Sequence, residues 1–232
     1  MPESTPLLKS LLLQGFLSYG PGVEKIDLQA LNVMIGPNGS GKSNLVEAIS
    51  LLRAVPKDLP LPIRQGGGVK DWLWQDGKSK AEKARLEVVF GEGRVAPTHR
   101  LSVRYWLDFG AQGEKFTVLD ERVENELVES GRAKPYFYFG YENGRPTLNV
   151  KSSNQSTIER HLERADIDPE QSILAQRRDP DTYPELSRIA DLLRQILIYR
   201  SWQFGPDAMV RGSSSWWTPK VPSNPTPPPG RM

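Results

Sequence analysis

The stretch that decides the fold is ALNVMIGPNGSGKSNLVEAISLLRAV, which runs from Ala30 to Val55. Its centre, GPNGSGKS at Gly36–Ser43, fits the phosphate-binding pattern G-x-x-x-x-G-K-[ST] at every fixed position. The run before it, Leu31–Ile35, is wholly apolar but for one Asn, which is typical of a buried strand. Apolar residues then recur at helical spacing as far as Pro56, which predicts an amphipathic helix. A strand, a glycine loop and a helix in this order predict a site for nucleotide phosphates.

Each fixed residue of this pattern has a physical role. Glycines let the backbone curl until successive N–H groups point inward at phosphate oxygens, and the helix that begins near Gly41 adds its free N–H groups. The Lys42 ammonium is expected between the β- and γ-phosphates, and the Ser43 hydroxyl is expected to bind Mg²⁺. The predicted nucleotide-binding residues are Gly36, Pro37, Asn38, Gly39, Ser40, Gly41, Lys42, Ser43 and Asn44.

The composition narrows the class of protein. The chain has 232 residues, of which 38% are hydrophobic and 25% charged, as in an ordinary globular protein. Its net charge of +2 gives no electrostatic reason to expect nucleic acid or an anionic membrane. Because there is no cysteine, disulfides and thiolate metal sites are excluded. No apolar stretch is long enough to span a bilayer, so the expected location is the cytoplasm and no membrane partner is expected.

The remaining pattern predicts an α/β protein (mixed α+β) with a long antiparallel meander. Strands are expected at Leu7–Tyr19 and Val23–Leu28, and Asn143-Gly144 predicts a type I′ hairpin turn. Aromatic and β-branched residues dominate residues 86–150, which we interpret as a meander inserted in the nucleotide lobe. Its predicted strands are LEVVF, HRLSVRYWLDFG, KFTVLDERVENEL, PYFYFGYENG and RPTLNV.

Further elements are predicted on either side of the meander. Pro56–Asp76 is expected to be a loop with two exposed tryptophans in DWLW, and Ser156–Ala165 a short helix. Gln171–Gln176 is expected to be a strand, followed by a helix at Pro184–Ile196 and a strand at Ile196–Trp202. Residues 1–205 are thus predicted to form the nucleotide lobe, and 206–232, rich in Pro, Gly and Ser, a disordered tail.

Hydrolysis would also require a carboxylate at the end of a buried apolar strand. The only literal candidate is FTVLDE, which ends in Asp120 and Glu121; Asp108 is weaker. The apolar run is short and continues into polar residues, so the sequence favours ordinary strand charges over a catalytic pair.

Two segments resemble a known family. GFLSYGPGVEKIDL, followed after one residue by ALNVMIGPNGSGKSNLVEAISLL, is similar to the N-terminal lobe of ABC-like P-loop ATPases of the SMC, RecF and OLD type, of the AAA (AAA_21-like) kind. PEQSILAQRRDPDTYPELSRIADLLRQILIYRSWQFG also resembles this group, so that the likeness covers roughly Leu7–Gly205.

The resemblance implies ATP as the nucleotide, with a glutamine that senses Mg²⁺ and the γ-phosphate. Gln176 is the expected catalytic and metal-binding glutamine, and Gln171 is the alternative. Ser18 and Tyr19 precede the strand where the family often contacts the nucleotide. The resemblance further implies a head-to-head dimer and action on DNA, as in DNA repair.

The chain departs from the family after Trp202, where no signature loop, Asp-Glu strand or switch histidine follows. It is therefore interpreted as the N-terminal part of such an ATPase, an incomplete domain whose other half comes from a partner chain or is missing. Four functions stay open: an ATPase, a nucleotide-binding module without turnover, a small P-loop kinase with Arg177-Arg178 as a lid, and a transporter subunit. A solvated surface is the favoured interpretation of the basic run Lys78–Arg85, and strand packing that of YFYFGY.

Overall fold

The fold is built on one eight-stranded sheet. The computed structural model describes residues 6–22, 24–92, 101–151 and 157–200. Every pairing of the described strands is antiparallel, and their order across the sheet is β2-β1-β3-β4-β5-β6-β7-β8. The strands are β1 Leu8–Gln14, β2 Glu24–Asp27, β3 Lys83–Phe90, β4 Val103–Gln112, β5 Lys115–Asn125, β6 Phe137–Glu142, β7 Arg145–Lys151 and β8 Thr157–His161. The predicted α/β class with an antiparallel meander is confirmed.

Alternation along the strands separates a core face from a polar face. On β3, Ala84, Leu86 and Val88 are buried, while Arg85 and Glu87 between them are only half-buried. On the neighbouring β4, Tyr105 and Leu107 are buried, and Trp106 between them is again half-buried. Because successive side chains of a strand point to opposite faces, this period of two identifies one face as the core. β1 and β2 lie in the same sheet as the meander.

Five helices accompany the sheet in the described part of the chain, and their apolar residues share one core with it. On α1 the buried residues are Leu45, Ala48, Leu51 and Leu52, as the helical spacing predicts. Helix α1 packs against α2 and α5, and α4 packs against α5. The helices are α1 Lys42–Ala54, α2 Pro60–Gln65, α3 Val69–Trp72, α4 Ile173–Gln176 and α5 Pro184–Arg194, with a 3₁₀ turn at Arg164–Asp166.

The hairpin turn between β6 and β7 follows the sequence prediction. Asn143 and Gly144 have φ angles of 50° and 74°, and positive φ at both central residues is what a type I′ turn requires. In YFYFGY, the Tyr136 and Tyr138 rings meet edge to face with centroids 5.1 Å apart. Strand packing, the favoured interpretation of this aromatic run, is therefore what the structure shows.

The predicted strand at Leu31–Ile35 is wrong. This run is irregular, and Leu31, Val33 and Ile35 are 81%, 76% and 92% exposed. A strand needs a neighbour to satisfy its N–H and C=O groups, and none of the described strands lies beside this run. The Asn32 side chain instead bonds back to Gln29, accepting from its N–H at 2.9 Å and donating to its C=O at 2.8 Å. Such local bonds stabilise a turn in place of a strand.

Four further predictions of local structure are corrected. The region Pro56–Asp76 contains α2 and α3, and Trp72 is 4% exposed because its ring packs against Phe16 at 5.7 Å. Ser156–Ala165 contains β8, which pairs with β7, and the predicted strand Gln171–Gln176 contains α4. Residues 196–200 form no strand, and 201–202 lie outside the described residues. Pairing with β7 decides β8, and the Ser172 cap decides α4, against the weak periodicity of these short segments.

The chain divides into two units, Met1–Ile196 and Leu197–Met232. The predicted tail at 206–232 lies outside the described residues. Among the described helices, none has both the length and the apolar character to cross a membrane.

Candidate nucleotide-binding site

The glycine loop ends where α1 begins. Gly41 precedes the first helical residue with a φ of 86°, and Gly39 has a φ of 83°, both in the left-handed region that favours glycine. The first helical hydrogen bond runs from the Leu45 N–H to the Gly41 C=O at 3.0 Å. No described side chain caps this end of α1, and its first turn has no acidic residue. Its free N–H groups and positive dipole end are therefore suited to an anion.

The Lys42 ammonium lies inside the loop. Its Nζ donates to the carbonyl oxygens of Gly36 and Pro37, both at 2.7 Å, and to the Ser40 hydroxyl at 3.1 Å. A Cβ added at Gly36 would stand only 2.9 Å from the Ser40 hydroxyl oxygen, so a side chain there would disturb the loop. The loop and the lysine of the sequence motif are thus brought together in one place.

A tight turn between β1 and β2 braces the loop from the side. The turn is closed by the Phe16 N–H bonded to the Tyr19 C=O at 2.9 Å. The Tyr19 hydroxyl donates to the Gly41 C=O at 3.3 Å, and the Asn44 amide donates to the Ser18 hydroxyl at 2.8 Å. Burial raises the pKa of Tyr19, so its hydroxyl keeps its proton. Ser18 and Tyr19 therefore support the loop, and their contact with a nucleotide stays a prediction.

The donors present around the loop fit Mg²⁺ only in part. Ser43 lies in the first turn of α1, and its side chain is exposed. A single hydroxyl is a normal protein contribution to Mg²⁺, since phosphates and water usually complete its six oxygen ligands. Among the described residues, no group of three or more His, Cys, Asp or Glu side chains could hold a metal ion. Ser43 would thus be the ligand from the loop, and the phosphates would supply the charge.

Gln176, the predicted second ligand, is engaged elsewhere. It is the last residue of α4, and its Oε1 accepts the Asp168 N–H at 2.8 Å. Its Nε2 donates to the carbonyls of Asp168 and Gln171 at 3.1 and 2.9 Å. The alternative, Gln171, accepts the Leu59 N–H at 3.4 Å through its own Oε1. Both glutamines stabilise the segment around α4, and a role for either towards Mg²⁺ stays a prediction.

The two arginines considered as a kinase lid have structural partners. Arg177 donates to the Asp166 carbonyl at 3.4 Å. Arg178 donates to the Pro56 carbonyl, which also accepts from Arg194 at 3.2 Å. Pro56 follows the end of α1, so Arg178 and Arg194 place positive charge near the carbonyl end of that helix. This arrangement does not favour a kinase.

The acidic residues of β5 do not form a catalytic pair. Asp120 and Glu121 are adjacent on the strand and point to opposite faces of the sheet. Burial raises the pKa of Asp120, and the charge of Asp108 across the strand pair raises it further. Burial opposes ionisation of Asp108, but hydrogen bonds from Arg85 and Lys83 outweigh it and lower that pKa. Lys83 and Arg85, at the end of the basic run, thus serve an ion pair.

Glu121 is 2% exposed and lies in the core. It accepts hydrogen bonds from the Tyr105 hydroxyl at 2.9 Å, the Ser172 hydroxyl and the Ile173 N–H at 2.8 Å. Burial raises its pKa to about 7, against the opposing effect of these three donors. Sequence reasoning missed this role because Glu121 and Ser172 are 51 positions apart. One local signal for a helix start was present: a serine, Ser172, directly before the apolar residues Ile173 and Leu174. In the structure Ser172 is the N-cap of α4.

Comparison with known proteins identifies the family. Residues 31–208 match the model of the AAA_21 family, described as "AAA domain, putative AbiEii toxin, Type IV TA system". The match covers well over half of the chain. The chain belongs to this family. Membership of this SMC-like ATPase group supports nucleotide-binding ATPase activity at the level of the family, and confirms the resemblance found in the sequence.

The curated proteins that this chain resembles include chromosome partition proteins. The chain is 25% identical over 200 residues to the Smc protein of Halothermothrix orenii, covering 82% of this chain and 16% of that protein. It is 56% identical over 43 residues to Smc of Desulfitobacterium hafniense, covering 18% of this chain and 4% of that protein. It is 32% identical over 84 residues to structural maintenance of chromosomes protein 2 of Gallus gallus, 36% of this chain and 7% of that protein. The chain thus spans less than a fifth of these relatives.

Solved structures similar to this AAA_21 chain include SMC proteins. One, from a study of ATP-driven dimerization and DNA-stimulated activation of SMC ATPases, has a TM-score of 0.41 and 23% identity over 52% of this chain and 70% of that chain. Another, an Smc head domain with a coiled coil and joint derived from Pyrococcus yayanosii, has a TM-score of 0.41 and 23% identity over 55% of this chain and 24% of that one.

Proposed function

We propose that this chain binds ATP with Mg²⁺ through Gly36–Ser43. The observation that carries the proposal is the Lys42 ammonium, which three oxygens of the loop hold at the open N-terminal end of α1. A phosphate chain placed there would meet the free N–H groups of the helix and an ammonium group together. The exposed Ser43 hydroxyl is the proposed Mg²⁺ ligand of the loop.

Equilibrium titration with a fluorescent ATP analogue tests this proposal. We expect saturable, Mg²⁺-dependent binding by the wild-type chain and at least a tenfold loss of affinity in Lys42→Ala, since one ammonium–phosphate contact is worth about 1.5–3 kcal/mol. Lys57→Ala is the matched control, because this exposed lysine lies just beyond the other end of α1. Equal affinity in Lys42→Ala and the wild-type chain would contradict the proposal.

We further propose that hydrolysis requires a second polypeptide segment. Leu31–Ile35 leads directly into the loop, yet its apolar side chains are exposed and no described strand pairs with it. Exposing a contiguous apolar run to water is unfavourable, and such runs commonly mark interaction sites. An added strand beside Leu31–Ile35 would cover these side chains and could bring a carboxylate to the phosphates. We propose that a partner chain, which carries the other half of the domain, supplies this strand.

A nucleotide-binding module without turnover is the second candidate. It is favoured by the buried position of Glu121, whose three hydrogen bonds hold the start of α4 and leave it no part in activating water. The two candidates differ in what a partner does. Addition of a polypeptide that carries the proposed strand and its carboxylate gives Lys42-dependent phosphate release if the chain is half of an ATPase, and leaves the rate unchanged if it is a module that only binds.

DNA is the macromolecule on which we propose that the ATP cycle acts. The support is the likeness to chromosome partition proteins, since the net charge of +2 gives no independent reason. Fluorescence anisotropy with duplex DNA at two salt concentrations tests it. Affinity that appears with ATP and falls with salt is the expected result, because contacts to phosphates release counterions. The absence of binding with ATP at low salt would remove DNA from the proposal.

A further inference from the structure

A buried carboxyl joins the sheet to the segment that carries Gln176. Glu121, Tyr105 and Ser172 are 2%, 0% and 0% exposed, so this junction contains no bulk water. The Glu121 carboxyl accepts from Tyr105 on β4, from the Ser172 hydroxyl and from the Ile173 N–H at the start of α4. The Ser172 hydroxyl in turn accepts the Leu174 N–H at 3.0 Å. One side chain of β5 thus organises the first turn of α4.

The same segment is also bonded to β5 through its backbone, and Glu170 adds an ion pair to Lys115 at 3.9 Å. The Val118 N–H donates to the Pro169 carbonyl at 2.7 Å, close to the irregularity of β5 between Val118 and Asp120. The side-chain amide of Gln176, at the end of α4, bonds back to the backbone of Asp168 and Gln171. These bonds close the loop that precedes the helix. Because every bond of the Gln176 amide is made inside this loop, the amide can turn to another ligand only after the loop loosens.

We propose that Glu121 is a positioning residue that controls this segment: its carboxyl holds residues 168–176 on β5, and loss of its proton weakens that hold and frees the Gln176 amide. The anchor itself does not depend on nucleotide. Any effect of the freed Gln176 amide on Mg²⁺ or the γ-phosphate rests on the proposed function. Amide hydrogen exchange measured without nucleotide therefore tests only the anchoring by Glu121.

The direction of the switch follows from the burial of the carboxyl. Burial raises the pKa of Glu121 from its ordinary value of 4.5 to about 7, so the docked segment favours the protonated form. Once the segment opens, water reaches the carboxyl and its pKa returns towards 4.5. Opening therefore becomes easier as the pH rises from 4.5 to about 7, and the two values set an upper limit of roughly 300-fold.

Few other ionisable groups of the described residues face this carboxyl. Tyr105 on β4 keeps its proton, because burial and the nearby Glu121 charge raise its pKa well above 10.0. Asp120, adjacent on β5, adds a repulsion that raises the Glu121 pKa further. Helix α4, Ile173–Gln176, brings no ionisable side chain. The pH response in this window is therefore assigned to Glu121.

Hydrogen exchange at single amides tests the proposal. The reporters are the amides of α4 and its end, which include Gln176 and Arg177, bonded to the Ser172 and Ile173 carbonyls at 3.3 and 2.9 Å. After correction for the intrinsic pH dependence of exchange, we expect their opening constant in the wild-type chain to rise by about 10-fold to 70-fold from pH 5 to pH 8. The amides of residues 31–35, beside which no described strand lies, serve as the internal reference and should show no such rise.

Two matched variants assign the effect. Glu121→Gln keeps the shape and can accept the Ile173 N–H, but it has no proton to lose, so the rise with pH should disappear. Glu124→Gln is the control, because Glu124 is also buried on β5 but points to the opposite face and pairs with Arg104; it should keep the rise. Ser172→Ala should exchange faster at every pH while keeping the slope.

A wild-type opening constant that does not change with pH would overturn the proposal without any variant. A slope that persists in Glu121→Gln would overturn it as well, because another group would then be responsible. If Glu121→Gln does not fold, the proposal is still tested by the rise of the wild-type opening constant with pH and by the exchange profile of Ser172→Ala.

Discussion

Two five-residue runs of this chain have almost the same apolar character, but one is buried and the other is exposed to solvent. LEVVF, Leu86–Phe90, lies in β3 between β1 and β4, and its Leu86 is completely buried. LNVMI, Leu31–Ile35, leads into the phosphate loop, and its Leu31 is 81% exposed. The difference lies in their neighbours, since only the first run has strands on both sides. An apolar run therefore predicts burial only together with a partner that can bury it.

Hydrogen exchange should show the largest contrast between the two runs. Amides of β3 should exchange only through global unfolding, which costs about 5–15 kcal/mol in a typical domain. Amides of 31–35 should exchange within a few-fold of unprotected rates, since no described strand holds them. Strong protection at 31–35 in the isolated chain would mean that this run already has a partner, and the comparison would fail.

Truncation of matching leucines gives the second contrast. Leu86→Ala should lower the free energy of unfolding by about 2–5 kcal/mol, because it leaves a cavity in the core. Leu31→Ala should change it by less than about 0.5 kcal/mol, as expected for an exposed side chain. Urea unfolding of both variants beside the wild-type chain measures the difference. Equal losses would contradict the exposed position of Leu31.

A third prediction concerns the buried carboxyl of the paired region. Because the pKa of Glu121 is raised from 4.5 to about 7, its protonated form stabilises the fold below pH 4.5 and this contribution is lost as the pH rises to 7. The loss has an upper limit of about 3 kcal/mol. Unfolding free energies at pH 5 and pH 8 should therefore differ more in the wild-type chain than in Glu121→Gln. A larger difference in the variant would reverse the assigned sign.

The smallest expected effect is at a turn of the sheet. Gly144→Ala places a Cβ at a φ of 74° and should cost about 1–2 kcal/mol. Gly22→Ala is the control, since a Cβ there meets nothing within 4 Å and its φ is outside the left-handed region. Unfolding of both variants in urea checks the ordering. If Gly22→Ala costs as much as Gly144→Ala, the turn near the phosphate loop is more constrained than the structure indicates.

Local signals in the sequence predicted the parts of this molecule that local physics decides. The glycine loop, the start of α1 and the Asn143-Gly144 turn each depend on φ angles that few residues adopt, so the residue types alone indicate them. The match to the AAA_21 family begins at residue 31 and includes the glycine loop. The roles of Gly36–Ser43 towards a nucleotide stay predictions that the binding experiment decides.

Long-range contacts decided the parts that the sequence did not indicate. β8 pairs with β7 although its residues suggested a helix, and α4 forms where a strand was expected because Ser172 caps it and Glu121 anchors it. Trp72 is buried by Phe16, which lies 56 positions earlier. None of these partners can be recognised from the local pattern of the segment itself.

The measurement that tests the central claim most directly is phosphate release from MgATP by the purified chain beside Lys42→Ala. The account predicts that the wild-type chain binds MgATP and that neither protein releases phosphate above the uncatalysed rate, because no described strand lies beside the exposed run at Leu31–Ile35 to bring the catalytic acid. Phosphate release by the wild-type chain that Lys42→Ala abolishes would contradict it. The chain would then supply its own acid, and Asp120 would be the first residue to test.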